Sequence, residues 1–319
     1  MKLLTIAFIL LASFSCSSLD SETVSEQSST PTDTTKIENI IIVVIDGPRY
    51  DQCFGDSTFS NIPRIGKELI PLGTFYPFVY NNGVTKTVPG HVAITTGVYQ
   101  EIANYGSPAP DNPSFFQYYL KKTGYDSTKA WIIASKDKLE SLSNCKDTNW
   151  ANRFRPAIDC GISGIESGYR EDSTTYNRAI SIFEEHSPNL VLINFKEPDY
   201  SGHKADTIAY IKGLKKSDEY VYKLWNYIKS SNNYKNNTVI LITNDHGRHL
   251  NGIADGWANH GDKCDGCKHI GLLALGGPFK KGIVISEKKD LTQISATISE
   301  LFELRMKTEK EKPLIKTRH

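Results

Sequence analysis

The stretch IIIVVID, residues 40–46, decides the fold. A run of consecutive β-branched residues cannot alternate between a wet and a dry face. It reads as a strand buried on both faces, the pattern of parallel sheets covered by helices. The aspartate that ends the run then falls just outside a strand's carboxyl end, where open α/β sheets bind their ligands. Two further runs repeat this arrangement: LVLINF (190–195) leads into EPDYSGH (197–203), and TVILIT (238–243) leads into NDHG (244–247). A single aspartate at a strand end is most often a turn or helix cap. Three such ends, bringing Asp46, Asp199, His203, Asp245 and His246 to one edge of one sheet, point instead to a metal-binding mouth.

Working outward, strands are expected at 39–45, 129–134, 189–195, 238–243 and 270–275. Helices are expected at about 62–69, 89–96, 113–122, 173–186, 205–230 and 290–303. The alternation predicts an α/β fold, a helix-sheet-helix sandwich with a mostly parallel central sheet. Residues 137–172 are rich in Asn, Asp, Gly and Cys and read as an excursion from the sheet, a candidate cap insertion near the active site. The folded domain is expected to span 37–305, with 306–319 a charged, solvated tail.

Composition is that of a globular protein: 319 residues, 39% hydrophobic and 23% charged. The net charge of +1 gives no chain-wide attraction to nucleic acid or acidic membranes, and no basic stripe interleaved with aromatics suggests nucleic-acid-specific recognition. Residues 1–16, MKLLTIAFILLASFSC, read as an export signal with Cys16 as a lipidation site, which would make the chain a bacterial lipoprotein, periplasmic or membrane-anchored. An ordinary cleaved signal peptide is the alternative. Residues 17–36 are Ser/Thr-rich and too polar to fold, so they read as a flexible tether. Export permits disulfides. Cys145 and Cys160 could pair; Cys264 and Cys267 form a C-x-x-C, either half of a zinc knuckle or a local disulfide. With no second half in the nearby sequence, the disulfide is favoured. Cys53 is left as a small buried hydrophobe.

The candidate ligands are Asp46, Asp199, His203, Asp245, His246 and His260: three carboxylates and three imidazoles without thiolate, a set suited to Zn or Mn. Six side chains are about enough for two ions with open positions. Thr87, in KTVPGH (86–91), sits at a helix start with Pro89 in the first turn. That makes it a helix cap or, since helix N-termini attract anions and a nearby cation would favour the alkoxide, a nucleophile facing phosphate.

In this order, VVIDG, TVPGH with ITTGVY, DYSGH, NDHG and WANHG resemble the alkaline phosphatase superfamily. The resemblance is to its nucleotide pyrophosphatase/phosphodiesterase-like, or sulfatase-like hydrolase, branch, and it runs from Asp46 to about Pro278. It implies two divalent metal ions, one on Asp199, His203 and His260 and one on Asp46, Asp245 and His246, with Thr87 as the catalytic nucleophile. His260 is preferred to His269 for its place in WANHG, whereas His269 opens a strand. His91 and His249 stay unassigned, as structural residues or supports for the ligands. Asn104, Arg248 and Lys86 are candidates for substrate binding, each otherwise an ordinary exposed residue. Formylglycine sulfatases need C/S-x-P-x-R; here Thr87 and His91 stand at those ends, so that chemistry is not expected. The implied reaction is hydrolysis of a small-molecule phosphate ester, a phosphodiester or nucleotide pyrophosphate, through a phosphothreonine. The alternatives are a phosphomonoesterase or phosphonate hydrolase on the same site, or a non-catalytic lipid-anchored binding protein.

Overall fold

The computed structural model describes residues 36–307 and 311–315. The export signal, Cys16 and the tether up to residue 35 lie outside the described residues. In chain order the regular elements are β1 (Asn39–Ile45), β2 (Gly73–Tyr80), α1 (Thr87–Thr96), α2 (Phe115–Thr123), β3 (Ala130–Ala134), β4 (Ala157–Cys160) and α3 (Asp172–His186). There follow β5 (Leu190–Phe195), α4 (Asp199–His203), α5 (Thr207–Ser230), β6 (Thr238–Thr243), α6 (Asp265–Lys268), β7 (His269–Leu275), β8 (Ile283–Val284), β9 (Lys289–Asp290) and α7 (Gln293–Phe302). One sheet runs in the order β4-β3-β5-β1-β6-β7-β2-β8, with β9 also on β2. The strands β4, β3, β5, β1 and β6 are mutually parallel, and β7 runs against both β6 and β2. The expected mostly parallel α/β sandwich is therefore the fold.

The reason lies in β1. Ile40, Ile42 and Val44 enter one core with residues of α1, α2 and α7; Ile41, Val43 and Ile45 enter the other with residues of α3 and α5. Every residue of β1 is buried. At about 2–5 kcal/mol for truncating one such Ile to Ala, no face of this strand can turn to water. β1 is also central, so Asp46 emerges at the middle of the sheet's carboxyl edge, between the ends of β5 and β6.

Several elements differ from expectation for local reasons. β2 was hidden because GTFYPFVY carries Pro77 in its interior, and the strand absorbs it at a register shift between Tyr76 and Val79. The helix expected over 205–230 is preceded by a separate turn of helix, α4; Ala205 takes φ 54° between them, and Asp206 caps α5 by accepting from the Ala209 N–H. Within 137–172, residues 157–160 form the edge strand β4 rather than leaving the sheet. In the tail, Met306 is buried and Leu314 and Ile315 pack on the core, because these apolar side chains find a groove beside α7 despite their charged neighbours. Cys145 and Cys160 are free thiols buried within the same core, so they do not pair; Cys53, Cys264 and Cys267 are also free. No helix among the described residues is long and apolar enough to cross a membrane.

Candidate active site

The carboxyl ends of β1, β5 and β6 deliver Asp46, Asp199 and the pair Asp245-His246 to one mouth, and all four are buried. Gly47 makes this closeness possible. It adopts φ 54°, and a Cβ there would lie 2.7 Å from the His246 ring and 2.8 Å from an Asp199 oxygen. Asp245 Oδ1 accepts the N–H groups of Gly47 (3.2 Å) and His246 (3.1 Å), which fixes the carboxylate and turns Oδ2 inward. His246 Nε2 stands 3.4 Å from that Oδ2 and 3.6 Å from Asp46 Oδ1. Asp245 Oδ2 and His246 Nε2 are buried without any hydrogen-bond partner. Two orphaned acceptors of this kind cost about 1–3 kcal/mol each unless a cation completes them.

Beside this inner group lies an outer one. Asp199 Oδ1 is 3.2 Å from His260 Nε2 and 3.4 Å from His203 Nε2, and the two imidazole Nε2 atoms face each other at 3.0 Å. The Nδ1 atoms of His246 and His260 are held by the carbonyls of Gly247 (2.9 Å) and Thr85 (2.7 Å). A carbonyl accepts only from N–H, so in the neutral rings Nε2 carries the free lone pair. Burial lowers the pKa of His246 to about 3 and that of His203 to about 4, against the opposing pull of their carboxylates, so both rings are neutral at ordinary pH. The donor atoms of Asp46, Asp245 and His246, and those of Asp199, His246 and His260, each lie within 4.8 Å of one another, spacings that could hold a cation. Neutral imidazoles, carboxylates and orphaned acceptors fit divalent metal ions.

Thr87 opens α1 and faces the inner group, with Oγ1 3.4 Å from Asp46 Oδ1. The sequence reading missed Lys136, which follows β3. Its buried Nζ lies 2.9 Å from Asp46 Oδ1, 2.6 Å from Asp199 Oδ2 and 3.0 Å from Thr87 Oγ1. Burial opposes the charge on Lys136, but Asp199 and Asp46 outweigh it and raise its pKa. Burial likewise opposes ionisation of Asp199, yet the Lys136 ammonium beside it holds it well below the usual carboxylate range. The signal was available: SK (135–136) after WIIA (131–134) puts a charged residue at a strand end, but lysine is not a metal ligand. Tyr169 and Lys138 lie close by, with the Lys136 and Lys138 ammonium groups 5.7 and 5.8 Å from the Tyr169 ring. Asn194, at the end of β5, donates to Asp46 Oδ2 at 3.0 Å.

The other expected residues fall differently. Asn104 accepts from the Val88 N–H at 2.9 Å, so it braces the α1 N-terminus beside Thr87. Lys86 is exposed at the helix start. Arg248 is fully buried, and its guanidinium is occupied by Asp199 (2.5 Å) and the carbonyls of Trp257 (2.5 Å) and Ala258 (2.6 Å). It therefore positions Asp199 and the loop carrying His260 rather than facing a substrate. Gly202 permits this, since a Cβ there would lie 2.6 Å from the guanidinium carbon. His91 is buried 3.4 Å from Asp245 Oδ2, and His269 opens β7 with its ring stacked on Tyr50.

Carboxylates and imidazoles at parallel strand ends, faced by a hydroxyl at a helix N-terminus, form a mouth suited to holding cations beside an anion. Residues 40–251 match the family described as type I phosphodiesterase / nucleotide pyrophosphatase, and the chain belongs to it. Among curated relatives, human bis(5'-adenosyl)-triphosphatase ENPP4 is 27% identical over 230 residues, 65% of this chain and 47% of that protein. The human ectonucleotide pyrophosphatase/phosphodiesterase family member 1 is 28% identical over 212 residues, 60% of this chain and 22% of that protein. The chain thus spans about half or less of the length of these relatives. Among solved structures, an alkaline phosphatase superfamily protein from Vibrio parahaemolyticus superposes with TM-score 0.65 at 16% identity, over 89% of this chain and 71% of that one. Murine ENPP5 superposes with TM-score 0.59 at 16% identity, over 84% and 96%. These last two likenesses concern the fold.

Proposed function

We propose that this chain is an exported, two-metal hydrolase of phosphodiester or nucleotide pyrophosphate bonds that works through Thr87. The observation that carries the reading is the convergence of Thr87 Oγ1, Lys136 Nζ and Asp46 within 3.4 Å beside two groups of orphaned or mutually facing acceptors. Asp46, Asp245 and His246 would hold one ion, and Asp199, His203 and His260 the other. The ions, most simply Zn or else Mn, would supply positive charge to the phosphoryl oxygens.

The chain's own groups do the rest. Thr87 Oγ bonds to phosphorus as the bond to the leaving oxygen breaks, giving a phosphothreonine; water then splits the P–Oγ bond and restores the hydroxyl. Lys136, 3.0 Å from Oγ1, favours the alkoxide and stays beside the charge that develops. The α1 dipole favours the same anion, although the Val88 and Gly90 N–H groups are already taken by Asn104 and the Lys86 carbonyl and Pro89 has none. Exposed Lys86 and buried Lys138 add positive charge nearby, and Tyr169 with Tyr200, rings 6.3 Å apart, offers an apolar flank for a leaving group. The leader supports export with anchoring at Cys16, and the ectonucleotide designation of the relative agrees with an exterior location.

A second reading is favoured by Lys138. Two ammonium groups near one mouth suit the extra charge of a phosphate monoester or a phosphonate. Hydrolysis of bis-p-nitrophenyl phosphate against p-nitrophenyl phosphate, with Zn or Mn added, decides between them. A preference for the diester, falling by at least ~10³-fold in Thr87→Ala with metal content unchanged, is the expected result. A preference for the monoester would replace it, and turnover that survives Thr87→Ala would remove Thr87 as nucleophile.

A further inference from the structure

Outside the mouth, the loop between β6 and β7 gathers a second set of metal-ligating side chains. His249, Asp262, Cys264 and Cys267 each offer one donor atom, and these four atoms lie within 4.8 Å of one another. Both cysteines are free thiols. The C-x-x-C does have a second half: it lies upstream, and it consists of an imidazole and a carboxylate instead of two more cysteines.

An independent observation points to a ligand. The His249 side chain is only 7% exposed, and its Nε2 is buried with no hydrogen-bond partner, 3.3 Å from Asp262 Oδ2. Its other nitrogen, Nδ1, faces Asp255 Oδ1 at 3.0 Å, and Asp255 in turn accepts from Asn259 at 2.7 Å. A carboxylate that fixes the far nitrogen of an imidazole is the support a metal-bound histidine needs, because it sets the tautomer and aims the free lone pair. The cysteines are held just as firmly. The N–H of Cys264 donates to Asp262 Oδ1 at 2.8 Å, and the N–H groups of Cys267 and Lys268 both reach the Cys264 carbonyl at 3.1 Å. Gly247 lets the loop pack this tightly, since a Cβ there would lie 2.1 Å from the Gly266 carbonyl oxygen. A tetrahedral ion about 2.0–2.3 Å from each donor needs donors roughly 3.3–3.8 Å apart, a small contraction of the group observed.

We propose that His249, Asp262, Cys264 and Cys267 form a structural zinc site, additional to the catalytic mouth, that pins the β6–β7 loop and with it His260. Two thiolates, an imidazole and a carboxylate in a closed set suit Zn²⁺ far better than Mg²⁺ or Ca²⁺. The connection to the mouth runs through the backbone. Thr85 donates its hydroxyl to the Asp262 carbonyl at 2.7 Å, and its own carbonyl accepts from His260 Nδ1 at 2.7 Å. His260 itself lies between His249 and Asp262 in the chain.

The site is tested on the full chain, stripped of metal and kept reduced, by titration with Co²⁺ alone. The mouth offers only oxygen and nitrogen donors, so a thiolate-to-cobalt charge-transfer band reports this site and no other. The band is expected in the parent chain and absent from the Cys264→Ser/Cys267→Ser variant. By native mass spectrometry the parent should hold one more Zn²⁺ than that variant, whatever number the mouth holds, so failure of this site and failure of the two-metal reading are separately visible. Asp255→Asn, on an exposed side chain, should weaken cobalt binding by about 10–100-fold while keeping the band at saturation. This arm decides the matter even if the double variant does not fold. Absence of the band in the reduced parent overturns the proposal. So does a Cys264–Cys267 disulfide in a parent chain whose zinc count equals that of the double variant.

Discussion

The two halves of the mouth are built on different foundations. Asp46, Asp245 and His246 leave adjacent parallel strands and are completely buried, so the packing of the sheet sets their positions. In the outer half, Asp199 is buried at the start of α4, His203 is exposed on that single helical turn, and His260 hangs from a loop of more than twenty residues between β6 and β7. Strand-end ligands are preorganised by the core, whereas loop ligands are only as well placed as whatever fixes the loop. Here that means Arg248, bonded to Asp199 and to the Trp257 and Ala258 carbonyls, and Thr85, bonded to His260.

The sharpest way to break this comparison is to delete one proposed ligand from each half. Asp245→Ala removes an inner carboxylate whose Oδ1 also holds the Gly47 and His246 N–H groups, so it should disturb both halves. Its diester hydrolysis should fall by about 10³-fold or more, with bound metal lost throughout. His203→Ala opens an exposed position and should cost about 10–100-fold, largely recovered at higher free Zn²⁺. Activity together with metal content by mass spectrometry checks both. Equal effects that metal does not rescue would mean the halves are not separately organised.

Lys136 joins the halves, since its ammonium bonds to Asp46 on one side and Asp199 on the other. Lys136→Met should lower turnover by about 10²–10³-fold through the lost cation beside Thr87. It should also leave buried Asp46 with no cation and only the Asn194 amide and the Thr87 hydroxyl, and Asp199 with Arg248 as its remaining cation, in the metal-free chain, a loss of up to roughly 3–5 kcal/mol. Metal ions would replace that charge. The expected outcome is a Tm rise on adding Zn²⁺ that is larger in the variant than in the parent. A smaller rise would show that lysine and metals do not share the carboxylates.

What was legible in the chain follows the same division. Continuous apolar runs reveal parallel strands, and a polar residue after such a run has only one place to go, so Asp46, Asp199 and Asp245 could be located from the sequence. β2 was not legible, because aromatic residues and Pro77 break the pattern that identifies a buried strand. Burial was not legible either, so Arg248 looked like a surface group free to meet a substrate. The second half of the C-x-x-C lay hidden because His249 and Asp262 approach it only after the loop closes. Lys136 was overlooked although it obeys the strand-end rule, because it is not a metal ligand.

The smallest expected effect concerns Lys138, a buried lysine that shares the Tyr169 ring with Lys136. Burial, and then the neighbouring Lys136, lower its pKa to about 8. Below that pH it is a cation able to attract an anionic ester, and the attraction is lost as pH rises through about 8. Diester kcat/KM should therefore decline along an alkaline limb near pH 8. Lys138→Arg, whose charge persists, should remove the limb, and Lys138→Met should flatten it at a level about tenfold lower. Stability moves the other way. The folded chain binds fewer protons than the unfolded one between pH 8 and about 10.4, so this group adds up to about 3 kcal/mol of stability as pH climbs through that window. A parent chain that loses activity between pH 8 and 10 while its urea midpoint, relative to that of Lys138→Met, rises would show one buried lysine favouring catalysis at the fold's expense. A urea midpoint that falls in step with activity would mean the limb reports unfolding and not Lys138.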